Sequence, residues 1–290
     1  MIGHVASTHE GSGRVVLCLR AGRPASDAAF DAAARIAKAF QSDIEGLFVE
    51  ERQLLDLTAY GFVKETSLSG GITRPISTPD IERQFEAACR AMHQRLKEIG
   101  GRLETRVLAS TVRSDPVPAL AQTCAAAGPW NVIVRGEAFQ PQDGLALGEI
   151  LASVRDCTGL VTVGPKAGQR EGRIVAAIED PERMTGLVRT AERLAAGEPE
   201  SAAGVTALLI GDDHQHLQWL DEQARLAFPA GQVPRIVAAP PTRGEPGVAA
   251  EAIRQLGPGF VVAQYGGVTV PYDDLSALTV GLECPLFLVR

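Results

Sequence analysis

The segment Arg14–Arg20 (RVVLCLR) is an apolar run that leads into a helical pattern, and the same arrangement returns at residues 173–179 (RIVAAIE). A second pair of segments, residues 156–163 (DCTGLVTV) and residues 283–289 (ECPLFLV), closes each half with another apolar run. A repeat of this length indicates two copies of one α/β unit rather than a solenoid of short repeats. We therefore expect function to reside where one unit keeps a site, or where the two units meet.

Short apolar runs alternate with helical patterns between these landmarks. They predict strands at residues 14–19, 43–50, 103–109, 130–135 and 159–163 in the first half, and at residues 173–179, 205–210, 233–239, 259–264 and 286–289 in the second. Gly100 and Gly101 are expected to end the long helix that precedes the third strand. Strands that alternate with helices predict parallel pairing with right-handed crossovers.

The two copies differ in length and are separated by a polar segment. The first unit is predicted at residues 1–164, the linker at residues 165–172 and the second, shorter unit at residues 173–290, because the linker is rich in polar residues and helix breakers. Most of the additional length of the first unit falls in residues 51–78.

This insertion concentrates large apolar side chains, among them Leu54, Tyr60 and Phe62. Exposed apolar surface of this kind often marks an interaction site. We expect part of the insertion to form a short helix that covers the crevice of the first unit or contacts another molecule. A loop that folds back onto its own domain is the alternative.

Composition excludes several classes of protein. The net charge of −7 argues against nucleic-acid binding, and no apolar stretch approaches the ~20 residues of a spanning helix. Residues 1–13 are small and polar, unlike a signal peptide. The five cysteines form no CxxC motif, so neither disulfides nor a zinc site is expected. These features predict a cytoplasmic protein.

Catalytic and metal-binding patterns are weak. Asp212, Asp213, His214 and His216 are close in sequence, but the two imidazoles would diverge on a helix, and Asp213 is better explained as a helix N-cap. No Ser-His-Asp or Cys-His order has a plausible context. We therefore expect no catalytic residues, no metal and no enzymatic activity.

Three segments resemble the universal stress protein family. Residues 112–120 (VRSDPVPAL) and 127–136 (AGPWNVIVRG) are similar to the stretch that runs from the third strand of that family through its third helix to its fourth strand, and residues 283–289 are similar to its final strand. The resemblance implies an α/β fold that is Rossmann-like and similar to the adenine nucleotide alpha hydrolases. It implies two tandem five-stranded parallel sheets of order 3-2-1-4-5.

The resemblance also implies that the two units form a pseudo-dimer through their final strands. Val161 and Val163 in the first unit would then meet Phe287 and Val289 in the second.

Members of that family that bind ATP have an acidic residue at the end of the first strand and a loop G-x2-G-x9-G-[S/T] after the fourth. Here Arg20 ends the first strand, Phe139 stands where the second glycine belongs, and Glu149 follows Gly148 in place of a hydroxyl. A carboxylate where a triphosphate should lie is repulsive. The second unit keeps Glu179 but lacks most of the loop, so both nucleotide sites are interpreted as degenerate.

Two arginines end strands that would be neighbours at the topological switch point, where open α/β sheets bind ligands. Arg20 and Arg135 could hold a small anion there, or they could be solvated or paired with Glu137 or Glu149. Gly136 and Gly148 could still bind something smaller than ATP. No cofactor is expected, with ATP or another small anion as the alternative.

These observations favour a tandem regulatory or binding protein without enzymatic activity and without tight ATP binding, one that associates with a protein partner or with itself. An ATP-binding protein with slow hydrolysis is one alternative. An accessory subunit that docks on a transporter or another complex through residues 51–78 is the other.

Overall fold

Strands and helices alternate along the first half of the chain. The computed structural model describes residues 13–58, 60, 63–66, 73–75, 77–138, 147–168, 172–196, 204–228, 234–267, 269–271, 278 and 281–290. The elements of the first half are β1 (Arg14–Arg20), α1 (Asp27–Phe40), β2 (Asp43–Glu50), α2 (Arg52–Leu57), β3 (Lys64–Thr66), β4 (Thr73–Pro75), α3 (Thr78–Leu103), β5 (Val107–Arg113), α4 (Pro116–Ala127), β6 (Asn131–Arg135), α5 (Leu147–Ser153) and β7 (Cys157–Thr162).

The second half repeats the alternation with shorter connections. Its elements are β8 (Ile174–Ile178), α6 (Pro181–Ala196), β9 (Val205–Leu209), α7 (His214–Ala227), β10 (Arg235–Ala238), α8 (Pro246–Gln255), β11 (Phe260–Gln264) and β12 (Leu286–Val289). None of the described helices is long and apolar enough to cross a membrane.

The main strands form one sheet of ten, in the order β10-β9-β8-β11-β12-β7-β6-β1-β2-β5. The predicted α/β class with a mostly parallel sheet is confirmed, and the two expected five-stranded sheets are found as the two halves of one ten-stranded sheet. Each half has the predicted order 3-2-1-4-5, and the antiparallel pairing of β12 with β7 joins the halves into a continuous sheet. If β7 and β12 were unpaired, each would expose an edge of backbone N–H and C=O groups. Their mutual pairing satisfies the hydrogen-bonding groups of both strands.

The pairing places the predicted contact residues as follows. Phe287 lies opposite Val161, and Val289 lies opposite Gly159. Val163 follows directly after β7 and is buried. The central position of these side chains in the sheet explains why the second half ends on an apolar run.

Helices cover both faces of the sheet because the strands carry apolar side chains on both sides. One core lies between the sheet and α1, α3, α6 and α7, and the other lies between the sheet and α4, α5 and α8. Across the junction, the guanidinium of Arg35 in α1 lies 5.1 Å from the ring centroid of Phe260, and that of Arg193 in α6 lies 5.6 Å from the ring centroid of Phe40. The two halves are thus joined by the β7–β12 strand pair and by these two cation–π contacts.

The end of α3 differs from the expectation. The helix continues through Gly100 and Gly101 to Leu103, and β5 begins at Val107 rather than at residue 103. A Cβ at Gly100 would lie 2.6 Å from Val107 Cγ2, so this glycine allows the strand to pass close to the helix. The helix ends at Glu104, which adopts a left-handed conformation with φ of 53°.

The insertion contains a short helix, as predicted, and a hairpin that was not predicted. Leu54 and Leu55 of α2 are partly buried and pack against the core, whereas Leu57 is 41% and Tyr60 55% exposed. Phe62 lies outside the described residues. Strands β3 and β4 form an antiparallel two-stranded sheet beyond the helix.

Candidate functional site

A buried group of charges occupies the topological switch point of the first half. β1 lies between β2 and β6, so the carboxyl ends of β1 and β6 meet where the strand order reverses. Glu137 Oε1 lies 2.8 Å from Arg20 Nε and 3.2 Å from Arg135 Nη2. The three residues are only 6% (Arg20), 1% (Arg135) and 4% (Glu137) exposed.

A second carboxylate stands beside this group. Glu51, which follows the carboxyl end of β2, has its Oε1 3.5 Å from Arg20 Nε. Burial raises the pKa of the Glu51 carboxyl, and the charges of Arg20 and Arg23 oppose that rise. Buried charges persist only when they are paired. The arginines of the first crevice therefore have internal counter-ions, and we call Arg20, Arg135, Glu137 and Glu51 the charge cluster.

The sequence left open whether these arginines were paired with Glu137 or with Glu149. The structure places Glu137 between them, whereas Glu149 is exposed on α5. Glu51 was not anticipated. Its position was nevertheless accessible from sequence, because a residue just after β2 must lie beside the end of its parallel neighbour β1.

Gly136 lies between Arg135 and Glu137, directly after β6. Its N–H donates to the carbonyl of Cys18 at 2.7 Å, and its carbonyl accepts from the N–H of Ser26 at 2.7 Å. A Cβ at this position would lie 2.5 Å from Leu19 Cδ2 and 2.7 Å from the Cys18 carbonyl oxygen. Only glycine fits this close approach, and its N–H is already engaged within the protein.

The other residues that the resemblance assigns to the nucleotide loop lie further along the chain. Gly148 and Glu149 belong to the first turn of α5, which begins at Leu147. Phe139, which stands in the place of a loop glycine, lies outside the described residues. The structure brings Arg20, Arg135 and Gly136 together in one place, and Gly148 lies on a separate element.

The equivalent crevice of the second half is open. It has a volume of about 440 Å³ and lies at the carboxyl ends of β8, β9 and β11, lined among others by Glu179, Asp212, His216 and Gln264. Glu179 Oε1 accepts the Thr269 N–H at 2.7 Å. Glu179, which directly follows β8, thus accepts a hydrogen bond from the backbone after β11.

Two further aspartates accept backbone hydrogen bonds in or next to this crevice. Asp213 is the N-cap of α7, as predicted, and accepts the His216 N–H at 2.7 Å. Asp212 Oδ1 accepts from the hydroxyl of Thr242 at 2.9 Å and from the N–H of Gly244 at 3.1 Å. In the part of the chain that the structure describes, no group of three or more His, Cys, Asp or Glu side chains could hold a metal ion.

Carboxylates dominate the electrostatics of the second crevice. Glu179, Asp180 and Asp212 line it. Negative groups in such a crevice disfavour a triphosphate.

The fold is similar to that of solved structures, although sequence identity is low. A comparison with protein-family models and with curated protein sequences gives no match. A universal stress protein from Archaeoglobus fulgidus DSM 4304 is 11% identical with a TM-score of 0.57, over 97% of this chain and 97% of its own. A functionally unknown protein from Pseudomonas aeruginosa PAO1 is 16% identical with a TM-score of 0.52, over 95% of this chain and 92% of its own. With its strand order, its switch points and this likeness over nearly the whole chain, the protein has the fold of the universal stress proteins.

Proposed function

We propose that this chain is a regulatory or binding protein of the universal stress type that has no enzymatic activity and does not bind ATP tightly. The observation that carries the proposal is the position of Glu137. Its carboxylate lies between two buried guanidinium groups at the switch point of the first half, which is where this kind of fold receives an anionic ligand.

The charge cluster acts against nucleotide binding in two ways. Glu137 already satisfies the charge that would attract phosphates, and Glu51 adds a second negative group near Arg20. The N–H of Gly136 donates to the carbonyl of Cys18, so it is not offered to a phosphate. A nucleotide would have to displace an internal carboxylate and break a buried ion pair, which costs several kcal/mol, about 3–5 by analogy with other buried pairs.

The negative charge of the carboxylates in the second crevice supports the same proposal. Its space of about 440 Å³ is sufficient for a small molecule, but its carboxylates oppose a triphosphate. We propose that neither half uses ATP as a tightly bound cofactor.

Calorimetric titration with ATP and Mg²⁺ tests the proposal. We expect no heat of binding at micromolar protein. Saturable binding with micromolar affinity would contradict the proposal and favour the alternative of an ATP-binding protein with slow hydrolysis.

A variant at Glu137 tests whether this carboxylate is what prevents anion binding in the first crevice. Glu137→Ala removes the internal anion and leaves two guanidinium groups facing the space it vacates, so this variant should gain salt-sensitive affinity for inorganic phosphate that the natural protein lacks. Equal phosphate affinity in both proteins would show that Glu137 does not close the crevice.

A further inference from the structure

A cavity of about 360 Å³ lies at the junction of the two halves, away from both crevices. It opens at the amino ends of β1, β6 and β7, the opposite edge of the first half from the charge cluster. Helices α1 and α6, one from each half, supply the other side. The cavity exists only because the final strands pair, since that pairing brings β12 beside β7 and α6 beside α1.

The walls of this junction cavity are mostly apolar. Ile36 and Phe40 of α1, Val15 of β1, and Phe287 and Val289 of β12 contribute to its lining. The volume lies near the lower end of the range for small-molecule pockets, roughly 300–1,000 Å³, and such pockets are mostly apolar with a few polar groups. The cavity therefore suits the apolar body of a small ligand.

One cation stands at the rim. Arg193 of α6 is exposed, its guanidinium lies 5.6 Å from the ring centroid of Phe40, and in the described part of the chain it makes no ion pair. Arg14, the other arginine that lines the cavity, is paired with Glu45 at 2.8 Å. Arg193 is thus the cation that could meet an anionic group of a ligand.

The hydroxyl groups of the cavity are engaged as donors. Thr158 donates to the carbonyl of Asn131 at 3.0 Å, and Thr190 donates to the carbonyl of Gly186 at 2.9 Å. The anchor for a polar head group is consequently the guanidinium of Arg193, whose planar set of donors matches the two oxygens of a carboxylate.

We propose that the junction cavity binds a small amphipathic carboxylate, with its medium-length apolar chain between β12 and α1 and its carboxylate on Arg193. The ligand would bridge the two halves, because residues of both halves touch it. This site is independent of the crevices and of whether they bind ATP.

Trp130 provides the measurement. It lines the cavity, is 65% exposed, and is one of two tryptophans in the chain. In a Trp219→Phe background its fluorescence reports on the cavity alone. Titration with decanoate below its micellar concentration should give a saturable change in Trp130 emission.

Two variants and a control locate the binding. Arg193→Gln should weaken decanoate binding about tenfold or more, because it removes a charge-assisted contact, while binding of neutral 1-decanol should be unchanged. Thr190→Phe should abolish the binding of both by filling the cavity. Arg189→Gln, on the same helix and exposed but outside the cavity lining, should leave both unchanged.

Three outcomes would overturn the proposal. The first is a lack of any saturable response to decanoate. The second is binding that neither Arg193→Gln nor Thr190→Phe weakens. The third is Trp130 emission that changes with protein concentration and not with decanoate, since the cavity would then be an interface between copies of this chain.

Discussion

A single carboxylate, that of Glu137, determines the electrostatic character of the first crevice. It lies 2.8 Å from the guanidinium of Arg20 and 3.2 Å from that of Arg135, and all three side chains are buried. Removing one member of a buried ionic group weakens the compensation of the charges that remain, which can be more costly than removing the whole group.

Glu137→Ala should therefore lower the free energy of unfolding by about 3–5 kcal/mol. Urea denaturation measures this change, and added formate should restore part of the loss in the variant but not affect the natural protein, because formate can occupy the vacated position. Asp221→Ala is the matched control: it removes an exposed ion pair with Arg225 and should cost less than about 1 kcal/mol. A loss for Glu137→Ala as small as that of the control would contradict the assigned role.

The five cysteines should differ sharply in reactivity. Cys18, Cys124, Cys157 and Cys284 are buried, whereas Cys89 on α3 is partly exposed. Burial raises the pKa of the Cys18 and Cys157 thiols and raises that of Cys124 to about 12, so burial disfavours the reactive thiolate at these positions.

At pH 8, iodoacetamide should modify the native protein once, at Cys89, and all five cysteines after denaturation. Intact mass and peptide mapping measure this. Cys89→Ser should remain unmodified in the native state. Modification of Cys18 or Cys124 in the natural protein as fast as that of Cys89 would show that the core opens readily.

At the scale of elements, the β7–β12 pair depends on a glycine. Gly159 lies opposite Val289, and a Cβ there would meet the ring of Phe287 and lie 2.7 Å from the carbonyl oxygen of Leu288. The backbone of β12 cannot move away from an added Cβ at residue 159 without breaking its hydrogen bonds to β7. The sequence shows this glycine in an apolar strand, but only the opposed strand explains it.

Gly159→Ala should weaken the junction by about 1–3 kcal/mol through overpacking, and limited proteolysis within residues 165–172 should become faster. Phe287→Asp should act in the same direction, since it places a charge at a buried position. Gly168→Ala is the control, because nothing lies within 4 Å of a Cβ at that glycine. Equal protease resistance in all of these proteins would contradict a role for the strand pair in joining the halves.

At the scale of the whole molecule, the ten-stranded sheet joins the two halves into one continuous structure. β12 and β7 continue the hydrogen bonding from one half into the other, and α1 packs beside α6. Neither half can unfold without exposing apolar surface of its partner.

The chain should therefore unfold in one cooperative transition. Trp130 lies in the first half and Trp219 in the second, so the single-tryptophan variants Trp219→Phe and Trp130→Phe report on each half separately. Their urea midpoints should coincide, and Phe287→Asp should separate them. Distinct midpoints without that substitution would show two independent domains.

Sequence patterns predicted the elements well where apolar runs are long and buried. The strand at Arg14–Arg20 and the strand at Asp43–Glu50 agree with their predicted positions within one residue. The prediction was wrong at β5, because it ended α3 at two adjacent glycines. The helix continues through Gly100, which packs closely against Val107 of β5. A contact between two elements of this kind cannot be recognised from the local sequence.

The candidate site was predictable in part. Strand order implied that Arg20 and Arg135 would be neighbours, since parallel strands place their carboxyl ends at the same edge. Which carboxylate compensates them could not be predicted, because Glu137 and Glu149 are both near in sequence and their distances depend on how the loop after β6 folds back.

The sequence by itself predicted two similar halves in which strands alternate with helices, because periodicity and repeated patterns are local properties. The strand order 3-2-1-4-5 was implied by the resemblance to the universal stress protein family and agrees with the structure. Only the tertiary structure decided that Glu137 lies between the buried arginines and that a cavity forms beside Phe287 and Arg193. Those features arise from contacts between residues that are more than one hundred positions apart or belong to different halves. Their geometry depends on how whole elements pack, which no short window of sequence contains.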